Sequence, residues 1–253
     1  SGAISDVASG IVDAADLGVD VINMSFGTNY YSAALEDAVN YAYGRGCLLV
    51  AAAGNMGSNR PHYPAALENV IAVASTYGEP NDVRALYSNR GSWISVSAPG
   101  GWDENEDGYP NRGEYWVIST SNQPDIFFIG TGTSASTPHV SGLAALYKSQ
   151  HPEATNDEIR GVLERTADDR GAPGWDELYG YGRINAYRAL RAPEIASVGG
   201  RGEVIVLNRW ITETPWISFA LLASLTLIAM TSRRRRPMVR ARKIQVLKNM
   251  IKR

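Results

Sequence analysis

Ser134 stands in the run Gly132-Thr133-Ser134-Ala135-Ser136-Thr137-Pro138-His139-Val140-Ser141-Gly142, where its surroundings suit it to attack on a carbonyl carbon. The pattern predicts a helix beginning just after this serine, with Pro138 tolerated in the first turn because early helical N–H groups have no internal partner. Those free N–H groups and the helix dipole favour negative charge beside Ser134, as an acyl-transfer oxyanion requires. Small residues at Gly142, Ala144 and Ala145 let such a helix pack closely. A second position with chemistry is Asn55, closing Leu49-Val50-Ala51-Ala52-Ala53-Gly54-Asn55. An Asn after Gly at a strand end reads, taken alone, as a turn residue. Gly/Ser/Thr runs before helices also occur as plain caps, so the elements that would carry these residues decide the matter.

Apolar runs at Val19–Met24, Leu48–Ala53, Val70–Ser75, Ile94–Ala98 and Trp116–Thr120 read as strands. Helical patterns fall at Ser5–Leu17, Ser32–Tyr43, Pro138–Gln150 and Asn156–Ala167. Apolar strands separated by amphipathic helices predict an α/β fold: a doubly wound, mostly parallel sheet with helices on both faces. In such sheets the ligand site lies at the carboxyl ends of the strands. The polar and glycine-rich clusters after Met24 and Ala53 lie at such ends, which makes them site candidates.

The formal net charge of −2 hides an asymmetry. Residues 233–253 hold ten Lys/Arg and no acid, which leaves 14 basic against 26 acidic side chains in residues 1–232. An acidic globular part argues against nucleic acid as its partner. The one cysteine, Cys47, cannot form an internal disulfide, and its apolar setting reads as core. Nothing points to an organic cofactor. Thr214–Ser232 is uncharged, with Trp210 and Trp216 on one flank and Arg233–Arg236 on the other. At 1.5 Å per residue it reaches roughly 28 Å, close to the hydrocarbon thickness. It reads as a transmembrane helix, in preference to a buried core helix. The basic flank puts the tail, 233–253, in the cytoplasm and the globular part outside the cell. Residues 191–213 read as a stalk or short β segment between that span and the domain at 1–190.

The run around Ser134 resembles the nucleophile motif of the subtilisin-like serine proteases, Gly-Thr-Ser-x-Ala-Ser/Thr-Pro-His-Val-Ala-Gly. Ser136 departs from the usual Ala, and Ala135 stands where many members carry Met; neither change removes a reacting group. Leu49–Asn55 resembles the strand whose Asn donates to the oxyanion. Val21-Ile22-Asn23-Met24-Ser25-Phe26-Gly27 resembles the strand lining the primary specificity pocket. Tyr63-Pro64, Ala98-Pro99-Gly100 and Gly180-Tyr181-Gly182-Arg183-Ile184-Asn185 match as well, so the resemblance covers roughly residues 1–190. It implies a serine endopeptidase with Ser134 as nucleophile and Asn55 as oxyanion donor. Ser25, Phe26, Gly27, Ala53, Gly54 and His62 would then meet a protein or peptide substrate. His62, just before Tyr63-Pro64, is either a polar floor of the specificity pocket or an exposed loop histidine. His139 belongs to the motif and is structural in the family. The family's Asp-Ser/Thr-Gly and His-Gly-Thr-His motifs are absent, and none of His62, His139 and His151 has the context of the catalytic base. The chain therefore reads as the C-terminal part of the domain, with the catalytic Asp and His expected upstream. The alternative is a membrane-anchored binding or scaffold protein that keeps the fold without the triad.

Asp103, Asn105, Asp107, Gly108 and Glu114 fit the spacing D-x-[DN]-x-[DN]-G-x5-E of a calcium loop, with the Tyr109 carbonyl as a further ligand. A Gly-Gly flank, a following strand and Pro110 argue against an EF-hand domain. A Ca²⁺-binding insertion and a solvated acidic loop both remain open.

Overall fold

The computed structural model describes residues 2–77, 82–101, 117–120 and 127–192. The acidic loop with Asp103, Asn105, Asp107, Tyr109 and Glu114, the stalk, the Thr214–Ser232 span and the basic tail lie outside the described residues. All described residues fall within the unit Ser1–Ser197.

Helix α1 (Ile4–Asp16) leads into strand β1 (Val21–Met24), followed by α2 (Ala33–Gly44), β2 (Leu48–Ala52), β3 (Val70–Thr76) and β4 (Val96–Pro99). The four strands form one parallel sheet in the order β1-β2-β3-β4. All of β2 and β3 is buried, as expected of parallel strands covered on both faces. Because successive side chains point to opposite faces, Leu48, Val50, Ile71 and Val73 join one core and Leu49, Ala51, Val70 and Ala72 the other. The second core is closed by Ile11 and Ala15 of α1 and Leu35, Ala38, Val39 and Ala42 of α2. The first is closed by α3 (Thr133–Gln150) and α4 (Asn156–Arg165) through Val140, Leu143, Tyr147, Ile159, Val162 and Leu163. Cys47 is buried, and its thiol donates to the Val19 carbonyl at 3.1 Å, so it is core.

Two expectations about elements need correction. The run ending at Thr120 does not extend the parallel sheet: β5 (Val117–Thr120) pairs antiparallel with β6 (Phe127–Gly130) in a separate ribbon. An apolar run gives no information on its partner, and β6 falls on a run of only four apolar residues, Ile126-Phe127-Phe128-Ile129 before Gly130, too short to show a strand's periodicity. Nor does α3 begin after the serine; it starts at Thr133, so Ser134 lies in the first turn and Pro138 inside the helix. A proline there leaves the carbonyl four residues back without its helical donor. That carbonyl belongs to Ser134, and the Ser25 hydroxyl donates to it at 2.9 Å. The helix thus continues through Pro138 because β1's end supplies the missing hydrogen bond.

The C-terminal motif is anchored by charge. Asp82 is buried and accepts from Arg183 at 2.6 Å and Arg170 at 3.2 Å. Asn185 caps the short helix α5 (Ala186–Ala189) by accepting from Arg188 N–H at 3.0 Å, and its amide donates to Asp168. Burial opposes ionisation of Asp168, but hydrogen bonds from Asn185, Arg183 and Arg188 outweigh it and hold the carboxyl below its usual range.

Candidate active site

Three backbone segments converge at the carboxyl end of the sheet: residues 25–27 after β1, residues 53–55 after β2, and the first turn of α3. The Ser134 hydroxyl donates to the Ser25 carbonyl at 3.0 Å, while the Ser25 hydroxyl donates back to the Ser134 carbonyl. Ser25 is itself held by the Asn23 amide at 2.9 Å, and Asn23 Oδ1 accepts at 2.9 Å from Ser141, about two turns further along the same face of α3. Ser134 is therefore tied to the strand that precedes it by more than a hundred residues. Its N–H lies in the first helical turn, where no intrahelical acceptor exists, and so remains to serve an anion.

Asn55 has its amide orientation dictated by its neighbours. Oδ1 accepts from both Thr133 N–H at 2.9 Å and the Thr133 hydroxyl at 2.8 Å. The Thr133 hydroxyl in turn accepts from Gly54 N–H at 3.0 Å. With Oδ1 occupied by two donors, Nδ2 is the end left to donate outward, and the Asn55 side chain is exposed. Gly132 makes room for it: a Cβ there would lie 2.8 Å from Asn55 Nδ2, and φ of 110° is glycine's own region. Thr133 is thus the residue that orients the donor, a role that the sequence reading missed. Asn89 was missed too. It is fully buried, donates to the Ala53 carbonyl at 2.9 Å and accepts from Met56 and Ser58 N–H at 3.0 and 3.1 Å, and so shapes the loop carrying Asn55. Its only sequence signal is the turn-like Ser88-Asn89-Arg90-Gly91.

His62 lies between the two flanking segments, partly buried rather than on an exposed loop. A Cβ on Gly27 would meet His62 Nε2 at 2.4 Å, and one on Gly54 would meet His62 Cδ2 at 3.0 Å. Both glycines are needed for the ring to sit there. His62 Nδ1 pairs with Asn29 Oδ1 at 2.9 Å, so Nδ1 carries the proton and Nε2 is left as an acceptor beside Gly27. Phe26 is 45% exposed at the rim, whereas Ala53 is buried and contributes backbone only. Ser134, Asn55, Ser25, Phe26, Gly27, Ala53, Gly54 and His62 are thereby brought to one end of the sheet.

No histidine is poised on Ser134. His139 Nδ1 donates to the Ala135 carbonyl at 2.9 Å, His62 is engaged by Asn29, and His151 stacks on Tyr147 at 4.4 Å between centroids. Asp13, Asp16 and Asp20 are exposed, as expected of solvated acids. Among the described residues, no group of three or more His, Cys, Asp or Glu side chains gathers to hold a metal ion. None of the described helices is long and apolar enough to cross a membrane.

Burial lowers the His62 imidazole below its usual range. A histidine with a depressed folded-state pKa stabilises the fold fully above its unfolded value of about 6.5, and that contribution is lost as pH falls towards the folded value. Melting temperature should therefore drop between pH 7.5 and pH 5, and the drop should be smaller in His62→Gln. Equal drops in both proteins would show that other groups carry the acid sensitivity.

Comparison with known proteins gives a consistent picture. The model of the subtilase family matches residues 1–182. The chain is 42% identical over 190 residues to a thermophilic serine proteinase of Bacillus sp. (strain AK1), covering 75% of this chain and 42% of that protein. To thermitase of Thermoactinomyces vulgaris it is 41% identical over 191 residues, covering 76% of this chain and 61% of thermitase. Among solved structures, a lanthipeptide protease matches with a TM-score of 0.66 and 30% identity, over 75% of this chain and 66% of that one. A protease from Pseudoalteromonas arctica matches with a TM-score of 0.62 and 36% identity, over 75% of this chain and 59% of that one. The chain thus spans between two-fifths and three-fifths of the length of these two curated relatives.

Proposed function

The chain belongs to the subtilase family, and on that footing we propose that it carries the nucleophile and oxyanion site of a serine endopeptidase. The observation that carries the reading is the Gly54–Thr133–Asn55 hydrogen-bond relay, which leaves the Asn55 amide free to donate beside Ser134. A relay that only braced a turn would have no need to present an exposed amide next to a helix N-terminus.

In the reaction, Ser134 Oγ attacks the carbonyl carbon of the scissile peptide. The new C–O bond forms as the carbonyl π electrons move onto oxygen, and a base takes the hydroxyl proton. Asn55 Nδ2–H and Ser134 N–H face the resulting oxyanion. Its collapse breaks the C–N bond, the leaving amine takes the proton back from the base, and Ser134 is left acylated. Water repeats the sequence to release the acid. The Asp and His that would serve as orienter and base are expected upstream, outside these 253 residues. Substrate backbone would lie along Ser25–Gly27 and Ala53–Asn55, with the residue before the cleaved bond pointing towards His62. The Nε2 acceptor favours a side chain that is short and can donate a hydrogen bond. A substrate library varied at that position tests this: a preference for large apolar side chains, unchanged in His62→Gly, would remove His62 from the pocket.

Two appended readings rest on sequence pattern. Thr214–Ser232 would span the membrane once, with the protease domain outside the cell and the basic tail in the cytoplasm. Cleavage of the tail by protease added outside sealed cells would reverse that topology. The loop with Asp103, Asn105, Asp107, Tyr109 and Glu114 would bind Ca²⁺, and a ligand held only by the native state raises stability as RT ln(1 + [L]/Kd). Melting temperature should fall when chelator replaces calcium, and the difference should vanish in Asp103→Ala/Asp107→Ala. Identical melting in all conditions would leave a solvated loop.

A further inference from the structure

Beneath the start of α3 lies a buried polar junction centred on the Tyr87 hydroxyl. Tyr87 is 8% exposed, and its ring meets Tyr77 edge-on at 6.3 Å. Its oxygen lies 2.7 Å from Ser75 Oγ at the end of β3, and 2.9 and 2.7 Å from the Gly100 and Gly101 carbonyls after β4. It also accepts from Gly132 N–H at 3.3 Å, a bond shared with the Gly100 carbonyl at 2.7 Å.

These hydrogen bonds divide the capacity of this one atom. A phenol oxygen has two lone pairs and one proton. The lone pairs accept from Gly132 N–H and the Ser75 hydroxyl, and the proton goes to the paired carbonyls of Gly100 and Gly101. The packing is equally tight: a Cβ on Gly100 would lie 1.9 Å from Ser75 Oγ, 2.3 Å from Ser136 Oγ and 2.8 Å from the Gly132 carbonyl. Removing the hydroxyl would take the Gly101 carbonyl's donor and leave Ser75 Oγ its longer contact to the Thr76 carbonyl at 3.5 Å, while Gly132 N–H and the Gly100 carbonyl keep each other, so the Gly100–Gly101 backbone would shift and carry Gly132 with it.

That backbone is the one from which the site hangs. Gly132 is the N-cap of α3, and its carbonyl accepts from Ala135 N–H at 2.9 Å. The next residue, Thr133, orients Asn55, and the one after is Ser134. A displacement at Gly132 therefore moves the nucleophile and both oxyanion donors relative to a bound carbonyl, while the segments that would hold the substrate, 25–27 and 53–54, lie on other elements. We propose that Tyr87 is a positioning residue for the reaction, its hydroxyl holding the Gly100–Gly101 backbone and, through the Gly100 carbonyl, Gly132 and the oxyanion donors. The proposal rests on the endopeptidase reading above but reads out separately from it.

The test is Tyr87→Phe in the full-length protein, with Tyr179→Phe as control. Tyr179 also uses its hydroxyl to accept a backbone N–H, from Arg84 at 2.9 Å, but makes no hydrogen bond to the first turn of α3. Tyr87→Phe should lower kcat about tenfold with KM within about twofold, because misplacement of groups serving the transition state acts on turnover. The amide of Gly132 should exchange with solvent deuterium faster in Tyr87→Phe, and Tyr179→Phe should change neither quantity. Unchanged Gly132 exchange, or kinetic changes matching those of the control, would overturn the proposal. If Tyr87→Phe fails to fold, Ser75→Ala, which removes a donor to the same hydroxyl, is read by the same criteria. A wild-type protein that never turns over would overturn the endopeptidase reading, and Gly132 exchange in this chain would then decide the role of Tyr87 alone.

Discussion

A fluorophosphonate probe should label the full-length protein at Ser134, leave Ser134→Ala unlabelled, and label the 253-residue chain only weakly. A serine hydroxyl is a weak nucleophile at neutral pH unless an adjacent base takes its proton. Here the Ser134 hydroxyl donates to a backbone carbonyl, that of Ser25, which cannot accept a proton in the chemical step. All three histidines are described, and each is engaged elsewhere. Loss of the base while the oxyanion site stays intact is expected to cost several powers of ten in acylation rate, leaving only a residual of about 10³–10⁴ over water. Strong labelling of the chain by itself would place a base within these residues and sink this partition of the triad. Failure of the full-length protein to label would favour the scaffold alternative.

The parts of this site that were legible in the sequence are those whose chemistry is local. Ser134 and Asn55 could be singled out because each lies in a contiguous run that resembles a family motif, one at a helix start and one at a strand end. The sheet was legible for the same reason: β2 and β3 are buried on both faces, so their apolar runs are continuous. What could not be read were relations across long separations. Nothing in the neighbourhood of Ser25 says that its hydroxyl replaces the N–H that Pro138 lacks, 113 residues later. Nothing near Thr133 announces that it grips Asn55, and Asn89 and Tyr87 carry no local mark of the loops they hold. The antiparallel partner of β5 was unreadable too, because strand pairing is set by tertiary contacts rather than by either strand's composition. His62 lies between these cases: its position could be named, but its tautomer depended on Asn29, and that contact needed the fold.

In the full-length protein, Asn55→Ala should lower kcat by about 10²–10³ while KM changes little, a figure known for subtilisin itself and carried over to this relative. The geometry gives the reason for that split. The Asn55 side chain makes its own hydrogen bonds through Oδ1, to Thr133, and presents Nδ2 to solvent in the absence of substrate. An amide donor in that position meets a neutral carbonyl weakly and an oxyanion strongly, because a hydrogen bond to a charged acceptor is roughly twice as strong as one between neutral groups. Only an interaction stronger in the transition state than in the ground state changes kcat without changing KM. The structural confound is that alanine also frees the Thr133 N–H and hydroxyl, and Thr133 is buried. Asn55→Asp separates the two effects. It keeps an oxygen for Thr133, so the start of α3 should hold, but replaces the outward donor with a charged acceptor facing the oxyanion. Its kcat should fall at least as far as that of Asn55→Ala, with melting temperature closer to wild type. An Asn55→Asp protein retaining most of its turnover would mean that Asn55 braces Thr133 and nothing more, and that the oxyanion is met by Ser134 N–H alone.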